Sequence, residues 1–566
     1  MRPILSLLVC VLGSAAASPS QAQVLVGAGG SEIDRAWCVA SDGQGGAFVG
    51  GLFRGTASFG SNGPVELESL GFADGFLARY DASGDLVFAV RVAGGTGFED
   101  AVDGIVPDGS SGVFATGYFS GAADFDGDDE PDLTSTGNAD AFLARYDATG
   151  ALTFLLRVGG TGNDLSRGIA LDGEGGVLIA GSFSRSIDLD ADGTADLTSN
   201  GSNDLFVARY DASGQLVFGA NAGGAFAGDF AEDVASDGAG GAILTGTIQG
   251  AADFDGDGVA DLTAAGAPDT FVARYDAAGQ FVFTTGIQST GPDEGRAVAP
   301  DGQGGAYVTG DFSGSADADG DGSPDLVSSG ISDAFLARYD ASGSLVFATR
   351  IGGTGADEGF GLAPDGTGGV LATGFFRNAA DFDDNGSADL VSAGDEDVFV
   401  ARYDGTGSLL SASRAGGIGA DRGRGIVADG AGGAFVVGSF SGSADFDDDG
   451  TADLTSAGRQ DAFLAQYGML SVDAEASPDS GSMRLAVAPN PLRESGTVSL
   501  FLEAPATARI ALFDAMGRRV TSVHEGLLAS GRHEIELDTR ALPAGVYILR
   551  ATAGADRVTR RVTVVR

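Results

Sequence analysis

Short hydrophobic runs, separated by turns rich in glycine and aspartate, recur along most of the chain. One copy of the pattern contains four such runs, at residues 152–158, 168–171, 177–183 and 205–210. Branched and aromatic residues dominate these runs, and no segment repeats its apolar residues about every 3.6 positions, as a helix would. The pattern therefore predicts short β-strands joined by tight turns, with four main strands in each unit.

The unit recurs seven times at a nearly fixed spacing. A tyrosine marks each copy, and successive tyrosines lie 64 to 66 residues apart: Tyr80, Tyr146, Tyr210, Tyr275, Tyr339, Tyr403 and Tyr467. Self-similarity at such a period is typical of repeat architectures. Four-stranded units repeated about four to eight times around an axis form a β-propeller. We therefore predict an all-β chain with a seven-bladed β-propeller over residues 23–470.

The two ends of the repeat region predict how the ring closes. Residues 24–26 correspond to 86–88, the last strand of a unit, whereas the seventh copy ends at 463–467 without that strand. Pairing of the two segments would complete one blade and remove the exposed strand edges that favour aggregation. The alternative is an open array of β-hairpins with an edge at each end.

Six of the seven units carry an acidic loop of the form D-x-D-x-[DN]-x-x-x-D. Oxygen ligands at alternating loop positions, with a backbone carbonyl at the seventh and glycine at the sixth, are typical of calcium loops. Asp129 replaces the glycine in one loop, and position 12 is Ser or Ala throughout. Without the bidentate glutamate of an EF-hand at that position, we expect a Kd on the order of 10⁻⁴–10⁻³ M.

Calcium is the cofactor that these loops predict, and we predict no catalytic residue. In the first unit, residues 58–63 replace the loop, and no ion is expected there. The alternative is that the loops are aspartate-rich turns that only interact with solvent. The predicted calcium ligands are Asp124, Asp126, Asp128, Glu130, Asp132, Asp188, Asp190, Asp192, Thr194, Asp196, Asp253, Asp255, Asp257, Val259, Asp261, Asp317, Asp319, Asp321, Ser323, Asp325, Asp381, Asp383, Asn385, Ser387, Asp389, Asp445, Asp447, Asp449, Thr451 and Asp453.

A second series of aspartates follows a Gly-Gly turn or its counterpart in all seven units: Asp34, Asp100, Asp164, Asp229, Asp293, Asp357 and Asp421. We expect these residues to cap turns by accepting backbone N–H bonds. The alternative is that they crowd one mouth of the propeller and bind a cation or a polyhydroxyl ligand. We expect the repeated arginines to pair with acids between blades: Arg79, Arg145, Arg209, Arg274, Arg338 and Arg402, with Gln466 interrupting the series.

Composition and charge limit the classes of molecule that the protein can bind. The 566 residues include 95 glycines and carry a net charge of −47, with no lysine. Such a charge would repel a phosphate backbone and excludes nucleic acid as a partner. The six acidic loops contain 27 of the 79 acids, so a large part of the charge could be neutralised locally by cations.

The N-terminal residues 1–22 are typical of a secretory signal peptide, with Arg2, a short apolar run and a small-residue cleavage site. No later segment is apolar enough to predict a transmembrane span. After cleavage Cys38 is the only cysteine, so no intramolecular disulfide is expected. We predict a secreted protein that is monomeric.

The C-terminal part differs in composition from the repeats. Residues 471–482 form a linker of small and acidic residues, and residues 483–566 hold 12 arginines against 8 acids. Strand-like runs at 497–502, 508–513, 534–537, 546–551 and 558–565 predict a small Ig-like β-sandwich.

Two sets of motifs resemble known families. The repeats, such as DAFLARYDASGSLVF (333–347) and GGTGADEGFGLAPDGTGGVLATGFF (352–376), resemble the SBBP seven-bladed β-propeller family. The acidic insert AADFDGDGVADL (251–262) is similar to the calcium loop of FG-GAP repeats. These resemblances imply a fold and a calcium site but no ligand.

The C-terminal region resembles the sorting domain (type A) of the type IX secretion system. The resemblance rests on the PNP motif at 489–491, LFDAMGR at 512–518, LPAGVY at 542–547 and the basic closing residues 560–566. It implies export across an outer membrane with the type IX machinery as partner, and a final location on the outer-membrane surface or outside the cell.

For the propeller we predict a non-catalytic protein that binds or adheres to an extracellular glycan or matrix. Residues 23–470 contain no histidine or lysine, and the units are nearly uniform, whereas an active site normally breaks the symmetry of its repeats. Two alternatives stay open: a structural surface-layer or spacer protein without a specific ligand, and a carbohydrate-active hydrolase or lyase.

Overall fold

The computed structural model describes residues 22–60, 63–95, 99–225, 228–265 and 268–468, and further along the chain 483–488, 495–502, 506–514, 519–529, 531–540, 542–543, 545–553 and 556–564. The chain divides into two compact units, Met1–Ser471 and Val472–Arg566. Residues 1–21 of the expected signal peptide and the expected linker lie outside the described residues. No helix in the described part is long and apolar enough to cross a membrane.

The described part of the first unit contains seven blades of four antiparallel strands each, and five of these sheets continue into a short hairpin and so have six strands. The innermost strands, in blade order, are Arg35–Ser41, Ala101–Pro107, Asp164–Leu171, Phe230–Ser236, Glu294–Pro300, Glu358–Pro364 and Arg422–Ala428. The second strands are Ala47–Phe53, Val113–Phe119, Val177–Phe183, Ala242–Ile248, Ala306–Phe312, Val370–Phe376 and Ala434–Phe440. The third strands are Asp74–Tyr80, Asp140–Tyr146, Asp204–Tyr210, Asp269–Tyr275, Asp333–Tyr339, Asp397–Tyr403 and Asp461–Tyr467. The outer strands are Leu86–Val92, Leu152–Gly160, Leu216–Ala222, Phe281–Ser289, Leu345–Gly353, Leu409–Gly417 and, for blade 7, Ala22–Gly30.

The ring is closed. Each innermost strand packs against those of its two neighbours, and that of blade 7 packs against that of blade 1. The outer strand of blade 7 comes from the start of the described chain and pairs antiparallel with Asp461–Tyr467, with Val26 opposite Leu464. The predicted all-β, propeller-like fold is confirmed, and strand pairing between the two ends of the repeat region completes the last blade.

A short hairpin follows the second strand of every blade and was not predicted. Its two strands flank the acidic loop in six blades, and its first strand reaches the end of the preceding blade's outer strand in most of them, as where Asp317 lies opposite Gln288. The hairpins are Thr56–Phe59 with Val65–Glu68, Ala122–Asp124 with Leu133–Thr134, Ser186–Asp188 with Leu197–Thr198, Ala251–Ala252 with Leu262–Thr263, Ser315–Asp317 with Leu326–Val327, Ala379–Asp381 with Leu390–Val391, and Ser443–Asp445 with Leu454–Thr455; Gly94–Gly95 adds a further short strand. Most acidic loops therefore lie where two blades meet.

The repeated tyrosine joins the core of a blade to its acidic loop. Tyr146, which is fully buried, donates its hydroxyl hydrogen bond to the carbonyl of Phe125, the second loop residue, at 2.9 Å. The same bond recurs from Tyr210, Tyr275, Tyr339 and Tyr403. The Phe125 ring packs edge-on against Phe142 of the third strand, so the start of the loop is fixed from both sides.

The arginine series pairs differently from the prediction. Arg338 forms an ion pair of 2.8 Å with Asp301, which lies in the hairpin between the first two strands of the same blade. Its other nitrogen donates to the carbonyl of Gly405 in the next blade at 2.8 Å. The acid partner is thus within the blade, because the third strand lies beside the second, and the link between blades is made to a backbone carbonyl.

The second unit is a β-sandwich of two antiparallel sheets. One sheet contains Met483–Ala488, Ser495–Leu502 and Gly531–Asp538; the other contains Arg519–Leu528, Ala506–Asp514, Gly545–Ala553 and Asp556–Val564. The first and fourth of these strands in chain order, Met483–Ala488 and Arg519–Leu528, were missed from the sequence, and the PNP motif lies outside the described residues. Val498, Leu500, Ile510, Leu512 and Leu549 form the buried core between the sheets.

Candidate functional site

The six acidic loops share one hydrogen-bond network. In the loop at 253–261, the Asp253 carboxylate accepts the N–H of Gly258 at 2.8 Å, and Asp261 accepts the N–H of Phe254 at 2.7 Å. Asp255 accepts from Asp257 at 3.0 Å, and Asp257 accepts from Val259 at 2.7 Å. The equivalent bonds are present in the other five loops. Each loop is therefore folded around its carboxylates.

The carboxylates of a loop lie close enough to repel one another. Oxygen atoms of Asp253, Asp255 and Asp261 lie within 4.8 Å of each other, and similar triplets occur at Asp124, Asp188, Asp317 and Asp381. Burial and the charges of Asp132, Asp128 and Asp124 raise the pKa of Asp126. One carboxyl pKa is raised in each of the six loops, with neighbouring carboxylates among the causes: Asp126, Asp196, Asp255, Asp319, Asp389 and Asp447.

The sixth loop position adopts the left-handed conformation throughout. Glycine occupies it in five loops, for example Gly258 at φ 88°, and Asp129 adopts φ 68° in the remaining loop. Arg91 of the preceding blade lies 3.2 Å from Asp124 and 3.5 Å from Asp129. This guanidinium partly neutralises the loop in which the glycine is missing.

The donor set fits a hard divalent cation. In the five triplets above, three carboxylate oxygens lie close together. They come from loop positions 1, 3 and 9 in four of the triplets and from positions 1, 3 and 5 in the triplet at Asp188. Asp188 at position 1 is buried, and its Oδ1 has no hydrogen-bond partner in the part of the chain that the structure describes. Carboxylate and carbonyl oxygens are the ligands that Ca²⁺ takes in proteins.

The second aspartate series has the capping role expected from the sequence. Asp357 precedes the innermost strand of blade 6 and accepts the N–H of Arg377 at 2.7 Å and that of Gly353 at 2.8 Å. Gly353 ends the outer strand of blade 5, so the cap joins consecutive blades. Asp34, Asp229 and Asp421 make the same two kinds of bond.

Each cap lies beside a second buried aspartate, which the sequence did not reveal. A Cβ added at Gly352 would lie 2.6 Å from an oxygen of Asp357 and 3.0 Å from an oxygen of Asp333. Burial, with Asp333 acting in the same direction, raises the pKa of Asp357 to about 6. The seven junction pairs are Asp74 with Asp100, Asp140 with Asp164, Asp204 with Asp229, Asp269 with Asp293, Asp333 with Asp357, Asp397 with Asp421, and Asp461 with Asp34.

The central channel shows where the blades differ. The innermost strands enclose a cavity of about 450 Å³, lined deeper in by Ile105, Val234 and Leu362. Cys38 is buried in this wall, at the position that Gly104, Gly168 and Ala297 hold in other blades. At one mouth, a smaller cavity of about 200 Å³ is lined by Arg35 and by one residue from each blade.

These seven mouth residues are all unpaired residues of β-bulges. In blade 1, Ala36 lies opposite Gly51 and Cys38 opposite Gly50, so the ladder skips Trp37. The same skip occurs in every blade, and bulges often redirect a side chain beside a binding site. The residues, which we call the bulge ring, are Trp37, Asp103, Arg167, Glu232, Arg296, Phe360 and Arg424.

Half of the bulge ring is a compensated charge cluster. Arg167 lies between Glu232 at 3.5 Å and Asp103 at 3.9 Å. The charge of Glu232, together with that of Asp103, raises the pKa of Arg167. Burial raises the pKa of Asp103 to about 7 although Arg167 opposes the shift.

The other half is basic and aromatic. The Arg424 guanidinium lies 3.8 Å from the ring centroid of Phe360, and Arg35 donates to the side chain of Gln460 at 2.8 Å. Among the described residues, neither arginine forms an ion pair with a carboxylate. Burial, with the neighbouring Arg422, lowers the pKa of Arg424 to about 10 and also lowers that of Arg35.

The sequence analysis treated the blades as uniform and missed the bulge ring. The sequence did offer one sign of the bulge ring: the repeat position that these residues occupy holds five residue types in seven copies. That it faces the channel follows only from the skipped pairing.

The seven blades and their closed ring define a repeat protein with a propeller-like β fold. Residues 486–565 match the family of secretion system C-terminal sorting domains. The chain therefore carries a type IX sorting domain, interacts with that secretion machinery, and is exported to the cell surface or the extracellular space.

Other comparisons give weaker likenesses. Over 181 residues the chain is 28% identical to the uncharacterized WD repeat-containing protein L264 of Acanthamoeba polyphaga mimivirus, which covers 30% of this chain and 13% of that protein. Among solved structures, this chain is similar to PorZ, an essential bacterial surface component of the type IX secretion system of Porphyromonas gingivalis. The two are 12% identical, the match covers 94% of this chain and 81% of that chain, and the TM-score is 0.28. This chain is also similar to dimeric latent PorU from Porphyromonas gingivalis, with 12% identity and a TM-score of 0.14. That match covers 64% of this chain and 31% of that chain.

Proposed function

We propose that this chain is a calcium-stabilised surface protein that acts as a non-catalytic binding protein, with the bulge ring as its binding site. The observation that carries the proposal is the contrast between near-identical blades and seven mouth residues of five types, each directed by a β-bulge. Repeated scaffold positions maintain the fold, whereas a position that holds five residue types in seven blades serves a ligand that lacks sevenfold symmetry. A concave site with few polar groups and aromatic walls is typical of ligand binding.

Calcium has a structural role in this proposal. The oxygens at loop positions 1, 3, 5 and 9, with the carbonyl at position 7, would hold the ion, and its charge would offset the repulsion between the carboxylates. An ion that binds only the folded state stabilises it by RT ln(1 + [Ca²⁺]/Kd), about 1.4 kcal/mol per site at ten times Kd. Because most of the loops connect neighbouring blades, this stabilisation would act on the ring.

The binding proposal is tested by probing an array of extracellular glycans and matrix proteins with the mature chain in Ca²⁺. We expect binding to a limited set of ligands and its loss when Trp37 and Phe360 are both changed to Ala. Asp81→Asn, in an exposed turn away from the mouth, is the matched control. If the chain binds nothing on the array, the spacer alternative is favoured. If binding survives the double substitution, the binding site lies elsewhere.

A hydrolase or lyase is a second candidate, which one observation favours. Asp103, with its pKa raised to about 7, lies at the channel mouth near Glu232 and could act as a general acid. Turnover of an array-positive glycan that is abolished by Asp103→Asn would support an enzyme, whereas binding without turnover supports the binding protein.

A further inference from the structure

We infer that the bulge ring binds an acidic sugar, with the carboxylate of the ligand held by Arg424 and Arg35 and its hydroxyl groups facing Asp103 and Glu232. This inference rests on the proposed function and names the chemical class of its ligand. It follows from the division of the ring into two unlike halves.

The basic half contains two guanidinium groups that lack an ion-pair partner among the described carboxylates. The chain has 79 acidic residues against 32 arginines, yet neither Arg424 nor Arg35 takes one of the described acids as its partner. Both line the same cavity of about 200 Å³. The neighbouring Arg422 and Arg54 are already paired, with Glu396 and with Glu99. Partly buried like charges are unfavourable unless a counter-charge binds, and guanidinium groups match carboxylates in a bidentate geometry.

The acidic half distinguishes a sugar from a simple anion. Asp103 and Glu232 share Arg167, so this half attracts no further cation strongly, but their carboxylate oxygens accept hydrogen bonds. Trp37 lies between Arg424 and Asp103 in blade order, and its flat apolar face can pack against a sugar ring. Phe360 lies within the basic half and stacks on the Arg424 guanidinium. Cations on one side, hydrogen-bond acceptors on the other and an aromatic face between them fit a ring that carries one carboxylate and several hydroxyls.

The size of the site agrees with this class. The mouth cavity of about 200 Å³ and the channel cavity of about 450 Å³ share all seven residues of the bulge ring in their walls. The space beside the ring therefore reaches the range of about 300–1,000 Å³ that is usual for small-ligand pockets. A terminal sugar residue can enter while the rest of the glycan remains in solvent.

The test compares glycans that differ only at the terminal residue. Fluorescence polarisation measures binding of the mature chain in Ca²⁺ to oligosaccharides that end in glucuronate or in glucose, to a sulfated glycan and to poly-glutamate. We expect glucuronate to bind best, and Arg424→Gln and Arg35→Gln each to weaken it at least about tenfold. Arg185→Gln removes the same charge from an exposed turn of blade 3 and should have no effect.

Stability separates a binding defect from a folding defect. Because Arg424 has no carboxylate ion-pair partner among the described residues, Arg424→Gln loses mainly the contact with Phe360 and should keep a cooperative melting transition close to the wild-type temperature without ligand. Glucuronate should raise the melting temperature only of chains that retain both arginines. Equal binding of the glucose-ended and glucuronate-ended glycans, or preference for the sulfated glycan or poly-glutamate, would overturn the acidic sugar while leaving a binding protein. If none of these probes and nothing on the array binds, the proposed binding function itself fails.

Discussion

Paired buried aspartates are the most unusual residues of this propeller. The seven junction pairs place two carboxylates in the interior between consecutive blades, and an arginine approaches one member in four of them, at Asp74, Asp140, Asp333 and Asp397. Several of the other oxygens, including Asp269 Oδ1 and Asp293 Oδ2, have no hydrogen-bond partner among the described residues. Burial raises the pKa of the capping member to between about 6 and about 8: Asp34, Asp100, Asp164, Asp229, Asp293, Asp357 and Asp421. These pairs could not be predicted, because their two members are 24 to 26 residues apart, or far apart for Asp34 and Asp461, and meet only when blades assemble.

The pKa shifts predict an unusual dependence of stability on pH. When the folded-state pKa of an acid is raised, the folded state binds more protons than the unfolded state between the two pKa values, so the free energy of unfolding falls as pH rises through that window. In EDTA, we therefore expect the melting temperature to increase as pH is lowered from about 8 towards about 5. A chain whose stability falls steadily over this range would contradict the buried pairs.

One substitution isolates a single pair. Asp269→Asn removes a charge next to Asp293 at a junction where no arginine pairs with either residue among the described ion pairs. We expect it to raise the melting temperature at pH 8 and to have little effect at pH 5. Asp333→Asn is the matched control, because Asp333 has Arg350 at 3.3 Å and its loss would leave that guanidinium with fewer partners. Equal gains in both variants would show that charge repulsion at the junction is not the cause.

At the scale of elements, features that depend on neighbouring residues in the sequence were predicted well, whereas features that depend on strand pairing were not. The order of strands in a blade followed from alternating runs and turns, and the acidic loops from the spacing within nine residues. The bulges could not be predicted from the sequence, because a bulge is defined by the residues that pair with it on the neighbouring strand. In the second unit, Arg519–Leu528 was missed because its polar and charged residues conceal the strand pattern.

Each acidic loop is expected to act as a separate calcium site. Changing Asp255 and Asp257 to Asn should lower the free energy of unfolding in Ca²⁺ by about 1.4 kcal/mol at ten times Kd, and this loss should disappear in EDTA. The hairpin of blade 1 has no acidic loop, so Glu66→Gln provides a control that removes an exposed carboxylate from the second strand of the corresponding hairpin. A calcium-independent loss in the loop variant would indicate a purely structural role for the turn.

At the scale of the molecule, ring closure depends on the strand Ala22–Gly30. Deletion of residues 23–28 should expose an edge of blade 7 and cause aggregation or loss of a cooperative melting transition, whereas removal of residues 483–566 should leave the propeller folded. Size-exclusion chromatography and melting curves distinguish the two truncations. Equal stability of both shortened chains would contradict the need for closure.

Export is expected to depend on the C-terminal unit. A chain that ends at Ser482 should pass the inner membrane through the predicted signal peptide but stay in the periplasm of a host with the type IX machinery. Residues 471–566 fused to an unrelated secreted reporter should bring it to the surface. Surface labelling and fractionation measure both, and surface display of the shortened chain would show that other residues direct export.

Calcium bound at six loops is the feature on which the stability of the exported propeller depends in our proposal. The direct measurement is equilibrium dialysis of the mature chain against Ca²⁺, with the metal quantified per chain and the melting temperature recorded on the same samples. We predict about six ions per chain with Kd values on the order of 10⁻⁴–10⁻³ M, and a melting temperature that falls in EDTA and recovers better with Ca²⁺ than with Mg²⁺. No bound calcium in this range, together with an unchanged melting curve in EDTA, would contradict it.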